Sequence, residues 1–480
     1  MARSLVVAPW GNFREWSGVE YRLGDVSTKS RSTLRSVLEY EGGSGEAYPV
    51  VLVPETLVSG DVLGRCRDPE CYRRKVYGTV GKDASLFLEE MGVGENRVCV
   101  MPNIGDYSVA KWEIRGVDLN IVSYYSSMAM LCMLGVGLEK SVDRVVVDLS
   151  HGINFMVKAA YRAAMTSSRL LSAIMGREVE VVVYNSEPYR RGVETLEIHK
   201  VDGEVVTPGR AASRLVYSYY QGVHRLNSSV DVVKAVRIDR SHQMGREAKK
   251  RLNSDSHIKA VNKMLKIHGM QAAASVYFSL PLAALQVGAN ALRDVGSVEE
   301  AVSQLRGAIT ALQEAMPLVD ILHGRVVRHY GGVDYDIVKS ALAGAALTVY
   351  TMRLYRDFEG NGVYSSDGVV EAELDALEKV VERLPGPLQF VSIYEIHREK
   401  SPEREESGEG PAKYLSECCT GQNVQDRNFI AHAGLERNLA CRRGSRVRYH
   451  ESAASGGELY RVLEESLRKT MRLLFRGDQG

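Results

Sequence analysis

The chain has 480 residues, 45% of them hydrophobic and 25% charged. That is about three domains of ordinary globular sequence, which excludes a disordered chain, a collagen and a simple coiled coil. Lys+Arg 61 against Asp+Glu 60 leaves a net charge of +1, so no global basic field is present and any nucleic-acid contact must be local.

The opening run, MARSLVVAPWGN, is too short for a secretion signal and reads as a strand. Further apolar runs at 49–53, 97–101, 144–149 and 179–185 join 5–9 as predicted strands buried on both faces. Helical stretches near 30–41, 83–91, 119–138 and 154–175 lie between them. Strand and helix in alternation predict parallel crossovers and a doubly wound sheet. Residues 195–206, TLEIHKVDGEVV, alternate around Asp202-Gly203 and predict a hairpin.

Residues 237–266 carry Arg237, Arg240, Arg246, Lys249, Lys250, Arg251, Lys259, Lys263 and Lys266 against only Asp239, Glu247 and Asp255. This is a basic stretch, either a solvated helix face or a nucleic-acid contact. From 268 onward the pattern turns helical, with candidates at 269–292, 298–322, 335–356, 369–384, 423–433 and 457–475. Residues 397–411, HREKSPEREESGEGP, are charged and poor in apolar groups, and are expected to be a flexible loop. The domains expected are 1–206, a basic and partly helical linker at 207–267, and 268–480.

The seven cysteines form no CxxC pair and no Cys/His quartet, so no metal site is expected. Their odd number, without a secretion signal, argues against a disulfide scaffold. No run reaches the ~18 apolar residues of a membrane helix. The expectation is a cytoplasmic protein without membrane contact.

Two motifs carry chemistry. The strand RVVVDLS runs into Asp148-Leu149-Ser150-His151-Gly152-Ile153-Asn154 and then a helix. Ligands of doubly wound sheets sit at the carboxyl ends of strands, and a helix N-terminus favours phosphate. Gly152 lets the backbone approach a ligand, and Ser150, His151 and Asn154 add polar groups. Trp10, Gly11 and Asn12 follow the first strand and are expected at the same edge, where an indole suits a nucleobase. The plainer alternatives are a capped turn and, for Trp10, an apolar plug over the sheet. Neither GxGxxG nor a Walker lysine is present, so hydride transfer and ATP hydrolysis lose support.

The second motif is Asp426-Arg427-Asn428-Phe429-Ile430-Ala431-His432-Ala433-Gly434. Asn428 and His432 share a helix face, while Arg427 stands about 140° from His432 on an ideal helix. A histidine moves protons near neutral pH, an arginine neutralises a phosphorane-like transition state, and an amide positions the phosphate. With the 2′-OH of RNA as nucleophile, no covalent enzyme residue and no metal is required. Arg251/His257 and Arg443/His450 have similar spacing without the apolar helical setting. The plainer alternative is a buried histidine satisfied by a neighbour.

LVVAPWGN, DLSHGIN and the strand ending in Asn185-Ser186-Glu187-Pro188-Tyr189 resemble the CARF domain of CRISPR-associated proteins, with Ser150 where threonine is commoner. RN-x3-H followed by Ala-Gly in a helical region resembles the HEPN ribonucleases. Together they resemble the CARF–HEPN ancillary ribonucleases of type III CRISPR systems. The resemblance implies an α/β then all-α chain: a Rossmann-like parallel sheet followed by a helical HEPN-like domain. It implies a homodimer or a higher assembly of dimers. A cyclic oligoadenylate would act as activator, with no cofactor, at Trp10, Gly11, Asn12, Ser150, His151, Gly152 and Asn154. Single-stranded RNA would be cut at Arg427, Asn428 and His432. The rival is a non-catalytic sensor that binds DNA through a helix-turn-helix near 240–268. A third possibility is that the CARF-like pocket itself cleaves the activator.

Overall fold

The computed structural model describes residues 2–476 apart from 44, 116–119, 191, 228–229, 239–242, 316–318, 323, 334, 402–414, 416–418, 420–423 and 455–456. It divides into two compact units. One comprises Met1–Val206, Val232–Lys259 and Arg306–Lys339; the other comprises Thr207–Asp231, Ala260–Leu305 and Ser340–Gly480. The stretch 207–267 is therefore shared between the two units.

The first unit is built on an eight-stranded sheet in the order Val26–Ser30, Val19–Leu23, Thr195–Val206, Val179–Ser186, Arg144–Asp148, Ala2–Pro9, Gly45–Pro54, Arg97–Met101. The last five of these are mutually parallel. Their valine and leucine runs are buried on both faces: Leu5, Val6, Val7, Val145, Val146 and Val147 are all fully inaccessible. After Ala2–Pro9 the chain lays Val19–Leu23 and Val26–Ser30 at the far edge, then adds Gly45–Pro54 and Arg97–Met101 on one side of Ala2–Pro9 before returning to lay Arg144–Asp148 on the other. The strand order thus reverses between Ala2–Pro9 and Arg144–Asp148, and the ends of these two strands border the crevice where such sheets bind ligands.

The sheet is mixed rather than wholly parallel. The expected hairpin at 195–206 is a single strand, antiparallel to Val179–Ser186 and parallel to Val19–Leu23. Its register shifts between Lys200 and Asp202, so Asp202-Gly203 follows a bulge instead of making a turn. The fit there is tight: a Cβ on Gly203 would stand 3.1 Å from the Val181 carbonyl oxygen. The hairpin that does exist joins Val19–Leu23 to Val26–Ser30 through Gly24, at φ +60°, and Asp25.

Helices Ile121–Lys140 and Phe155–Met175 cover the sheet as expected from their sequence. They touch closely at Gly137, where a Cβ would lie 2.8 Å from Leu171. Ile121–Lys140 is, contrary to expectation, long and apolar enough to cross a membrane by length and composition, but 72% of its apolar window is buried within the fold. A second small sheet pairs Arg325–Val333 in parallel with Lys111–Arg115. It carries Arg328, fully buried, onto the carboxylate of Glu55. In the basic stretch, helices Gln243–Ser254 and Ser256–Met264 are separated only by Asp255, whose carboxylate accepts the Ile258 N–H at 2.9 Å.

The second unit is mostly helical but not all-α. Strands Val363–Ser366, Val369–Glu373, Arg446–Tyr449 and Ala440–Arg443 form an antiparallel sheet. The helix expected over 269–292 breaks into Met270–Tyr277 and Pro281–Val295, because Ser279 adopts φ +54° and Pro281 cannot continue the hydrogen-bond ladder. Ser279 then anchors a distant segment: its carbonyl accepts the Ser392 hydroxyl at 2.7 Å and its hydroxyl accepts the Gly386 N–H at 3.0 Å. These bonds seat helix Gln389–Lys400. Most of the loop expected at 397–411 lies outside the described residues.

Two disulfides, Cys99–Cys132 and Cys419–Cys441, correct the expectation from cysteine count. Each joins cysteines that sequence spacing does not relate. Cys66 and Cys71 are buried free thiols, and burial above all pushes the Cys66 thiol up to about 12. Cys418 lies outside the described residues.

Candidate functional site

At the reversal point of the first unit, parallel registry places Val7 beside Val147 and Val147 beside Val183. The three strand ends therefore emerge together. The Gly11 N–H donates to the His151 carbonyl at 3.0 Å, joining the first strand end to the DLSHGIN turn. The Ser150 hydroxyl donates to Asp148 at 2.6 Å and accepts the Ser186 N–H at 2.9 Å, joining the turn to the third strand. Asp148, buried at the strand end, also accepts the Thr33 hydroxyl at 2.6 Å.

His151 is half-buried. Its Nε2 accepts the Thr33 backbone N–H at 3.2 Å, and its ring lies 4.1 Å from the Trp16 indole. An acceptor Nε2 places the proton of a neutral ring on Nδ1. Burial holds its pKa below the usual histidine value, with the Asp148 charge opposing. Gly152 has no room for a side chain: a Cβ would meet Val157 at 2.6 Å and Pro9 at 3.0 Å. Asn154 is exposed, at φ 50° and ψ −128°, and its side chain caps no helix N–H. Asn12 is exposed and donates to Glu15 at 2.7 Å.

Trp10 departs from its expected role. It is fully buried, packed at 5.3–5.8 Å against Phe13, Trp16 and Phe87, and is thus the apolar plug. The partly exposed indole beside the turn is Trp16. Ser150 and His151 are committed to bonds within the fold and Gly11 is buried, which leaves Asn12, Gly152 and Asn154 toward the surface of the edge. Thr33 is the residue that sequence reasoning missed, since nothing in its spacing links it to Asp148.

In the second unit, Arg427, Asn428 and His432 lie on or at the end of a six-residue helix, Asp426–Ala431. Phe429 is fully buried and fixes this helix to the core. The helix ends in paired bonds, Ala433 N–H to Ile430 and Gly434 N–H to Phe429, with Ala433 at φ 53° and Gly434 at φ 81°. This cap leaves His432 as the last residue before the chain turns away. Arg427 and Asn428 are exposed, and the Asn428 amide donates to Gln425 at 3.2 Å.

The His432 Nδ1 meets the Glu395 carboxylate at 3.2 Å; the imidazole is 41% exposed and the carboxylate 6%. Arg398 grips the same carboxylate at 2.6 Å. Glu395 comes from helix Gln389–Lys400, 37 residues away in sequence, and no periodicity pointed to it. One turn further along that helix, Glu399 bonds Arg442 of the small sheet at 3.4 Å. Glu436, buried after the site helix, has its carboxyl pushed up by burial, with the Asn438 and Leu439 N–H groups and the Arg437 and His432 charges opposing. Of the alternative pairs, Arg251 stands 3.9 Å from Glu70, and the His450 Nδ1 pairs with the Ser452 hydroxyl at 2.8 Å.

Residues 5–188 match the family model described as "CRISPR system endoribonuclease Csx1, CARF domain". This part of the chain is similar to a CARF domain. It holds both the first strand end and the DLSHGIN turn. A curated relative from Methanocaldococcus jannaschii, "CRISPR system endoribonuclease Csx1", is 24% identical over 450 residues, covering 91% of this chain and 86% of that protein. The likeness to CARF-containing CRISPR ancillary ribonucleases, expected from the motifs, is borne out by these two matches. Enterococcus italicus Csm6 bound to cyclic hexa-2′-fluoro-hexa-dAMP aligns over 99% of this chain and 95% of that one, at 10% identity. The TM-score of that alignment is 0.23. The matched stretch ends before helix Pro208–Leu226, so the RNFIAH site lies wholly outside it.

Proposed function

We propose that the chain is an endoribonuclease of CRISPR antiviral defence, switched on by a cyclic oligoadenylate and independent of metal ions. The observation that carries this reading is the joining of a CARF domain, in one chain, to a half-exposed imidazole seated on a buried carboxylate. The name of the curated relative supports it. In this reading the helical unit is HEPN-like and works in a homodimer or a higher assembly of dimers. The activator lies along Asn12, Gly152 and Asn154, with Trp16 offering a ring for an adenine to stack on. Single-stranded RNA is cut at His432. The 2′-oxygen attacks phosphorus and passes its proton to the imidazole; the P–O5′ bond breaks and O5′ takes up a proton. Arg427 neutralises the phosphorane charge and Asn428 holds a phosphate oxygen.

The rival, a DNA-binding sensor, needs two helices joined by a three- or four-residue turn, and the basic helices here have one residue between them. The test is RNA cleavage by the full chain with a panel of cyclic oligoadenylates in EDTA. The expected result is cleavage with one ring size, leaving 5′-OH ends and cyclic or 3′-phosphates. A need for magnesium or manganese, 5′-phosphate products, or no response to any ring overturns the reading.

A further inference from the structure

We infer that Glu395 is the positioning residue of His432, clamped for that purpose by Arg398. The inference rests on the ribonuclease reading and deepens it. A carboxylate 6% exposed is costly unless its oxygens are bonded. Arg398 supplies two of those bonds, to Oε2 at 2.6 Å and to Oε1 at 3.2 Å, in a two-pronged ion pair. An ionised carboxylate only accepts hydrogen bonds. Its 3.2 Å contact to the His432 Nδ1 therefore requires a proton on Nδ1. Nε2 is left with its lone pair, on a ring that is 41% exposed. That is the atom which takes the 2′-OH proton.

The other charges around the ring have different work. Glu436, behind the site helix, accepts backbone N–H groups of its own turn, from Asn438 at 2.9 Å and from Leu439. Asp426, at the far end of the helix, pairs with Lys469 and Arg461 of helix Glu458–Arg476. Glu399 on the next turn joins Arg442. Arg427 is exposed. The fold also does not need the Glu395–His432 bond: the helix end is closed by its own backbone bonds and anchored by Phe429. The bond holds one side chain in one tautomer. During cleavage Nε2 carries the proton from O2′ to O5′ while the O2′–P bond forms and the P–O5′ bond breaks. Nδ1–H stays on Glu395, which takes up no proton.

The experiment compares wild type with Glu395→Ala and Glu395→Gln in the full chain, with activator, by single-turnover and steady-state RNA cleavage. Each is also labelled with 15N-histidine, and the His432 ring is read by NMR against a His432→Ala spectrum. Expected for Glu395→Ala is a fall in kcat of about 10²-fold or more, KM within about twofold, and a shift of the His432 proton from Nδ1 toward Nε2. Glu395→Gln, which keeps the volume and an acceptor oxygen, should lie between and carries the test should Ala at 395 unfold the unit. Wild-type kcat in both variants, or a fall in kcat with the tautomer unchanged, overturns the inference and leaves the ribonuclease reading standing. A wild-type chain that cuts no RNA sinks that reading instead, and an Nε2–H tautomer in wild type sinks the inference without any assay of activity.

Discussion

His151 accepts the Thr33 N–H and lies against Trp16, whereas His432 leans its Nδ1 on a carboxylate and leaves the rest of its ring partly open. The first environment favours the neutral ring, because burial disfavours imidazolium more than Asp148 restores it. This has a stability consequence with a definite sign. The folded pKa of His151 lies below the ordinary 6.5. Above that pH the ring is neutral folded or unfolded, and titration contributes nothing. Below it the unfolded chain binds a proton that the folded chain resists, so stability falls as the pH drops. We predict that thermal unfolding shifts down between pH 7.5 and 5.5, and that His151→Gln flattens this dependence. His268, also held low by burial, responds in the same direction, so the difference between the two pH slopes is the quantity to read. Equal slopes in wild type and His151→Gln would show that the turn does not resist protonation.

Helix Pro281–Val295 meets helix Tyr335–Phe358 at a glycine. A Cβ on Gly288 would lie 2.1 Å from the Thr351 carbonyl oxygen and 3.0 Å from the Tyr355 Cβ. Backbone on one side cannot move out of the way as a flexible side chain can. Gly288→Ala is therefore expected to destabilise the second unit by about 1–3 kcal/mol, despite the better helix propensity of alanine. Urea unfolding followed by circular dichroism reads this directly, and an unchanged midpoint would contradict the close approach. The same helix holds the small sheet through Gln286, which accepts the Val370 N–H and donates to the Gly368 carbonyl, each at 2.8 Å. That sheet in turn carries Arg442 to Glu399, so helix, sheet and site-bearing helix are joined by buried polar bonds.

Across the whole molecule, the first unit is completed by residues far in sequence from its eight-stranded sheet. Glu55 and Arg328 are 273 residues apart and form a fully buried pair. Tyr72 donates to the same carboxylate at 2.9 Å, and Trp112 donates to Tyr72 at 2.9 Å. Removing one partner of a buried pair leaves a charge without compensation, at a cost of about 3–5 kcal/mol. Arg328→Ala should accordingly lower the urea midpoint strongly, and adding Glu55→Gln should recover part of the loss. If the double variant were no more stable than the single one, the pair would not be the source of the effect. Limited proteolysis of the same variants shows which unit opens first.

The sequence by itself determined the parallel strands, because short β-branched runs bounded by polar, Gly or Pro residues and alternating with helical stretches suit strands buried on both faces; Arg97–Met101 has the bounds read from the chain. It also determined that DLSHGIN closes a strand at the carboxyl edge of the sheet and that RNFIAH lies on a helix with Phe429 inward, since both follow from local periodicity. The plug position of Trp10, the bulge in place of a hairpin at 202–203 and the small sheet in the helical half were decided by tertiary structure. Each depends on what a neighbouring segment presents, which local pattern does not encode. The partners of the two histidines were decided there too. Asp148 meets Thr33 across 115 residues and His432 meets Glu395 across 37, and such pairs exist only once folding has brought distant side chains into contact.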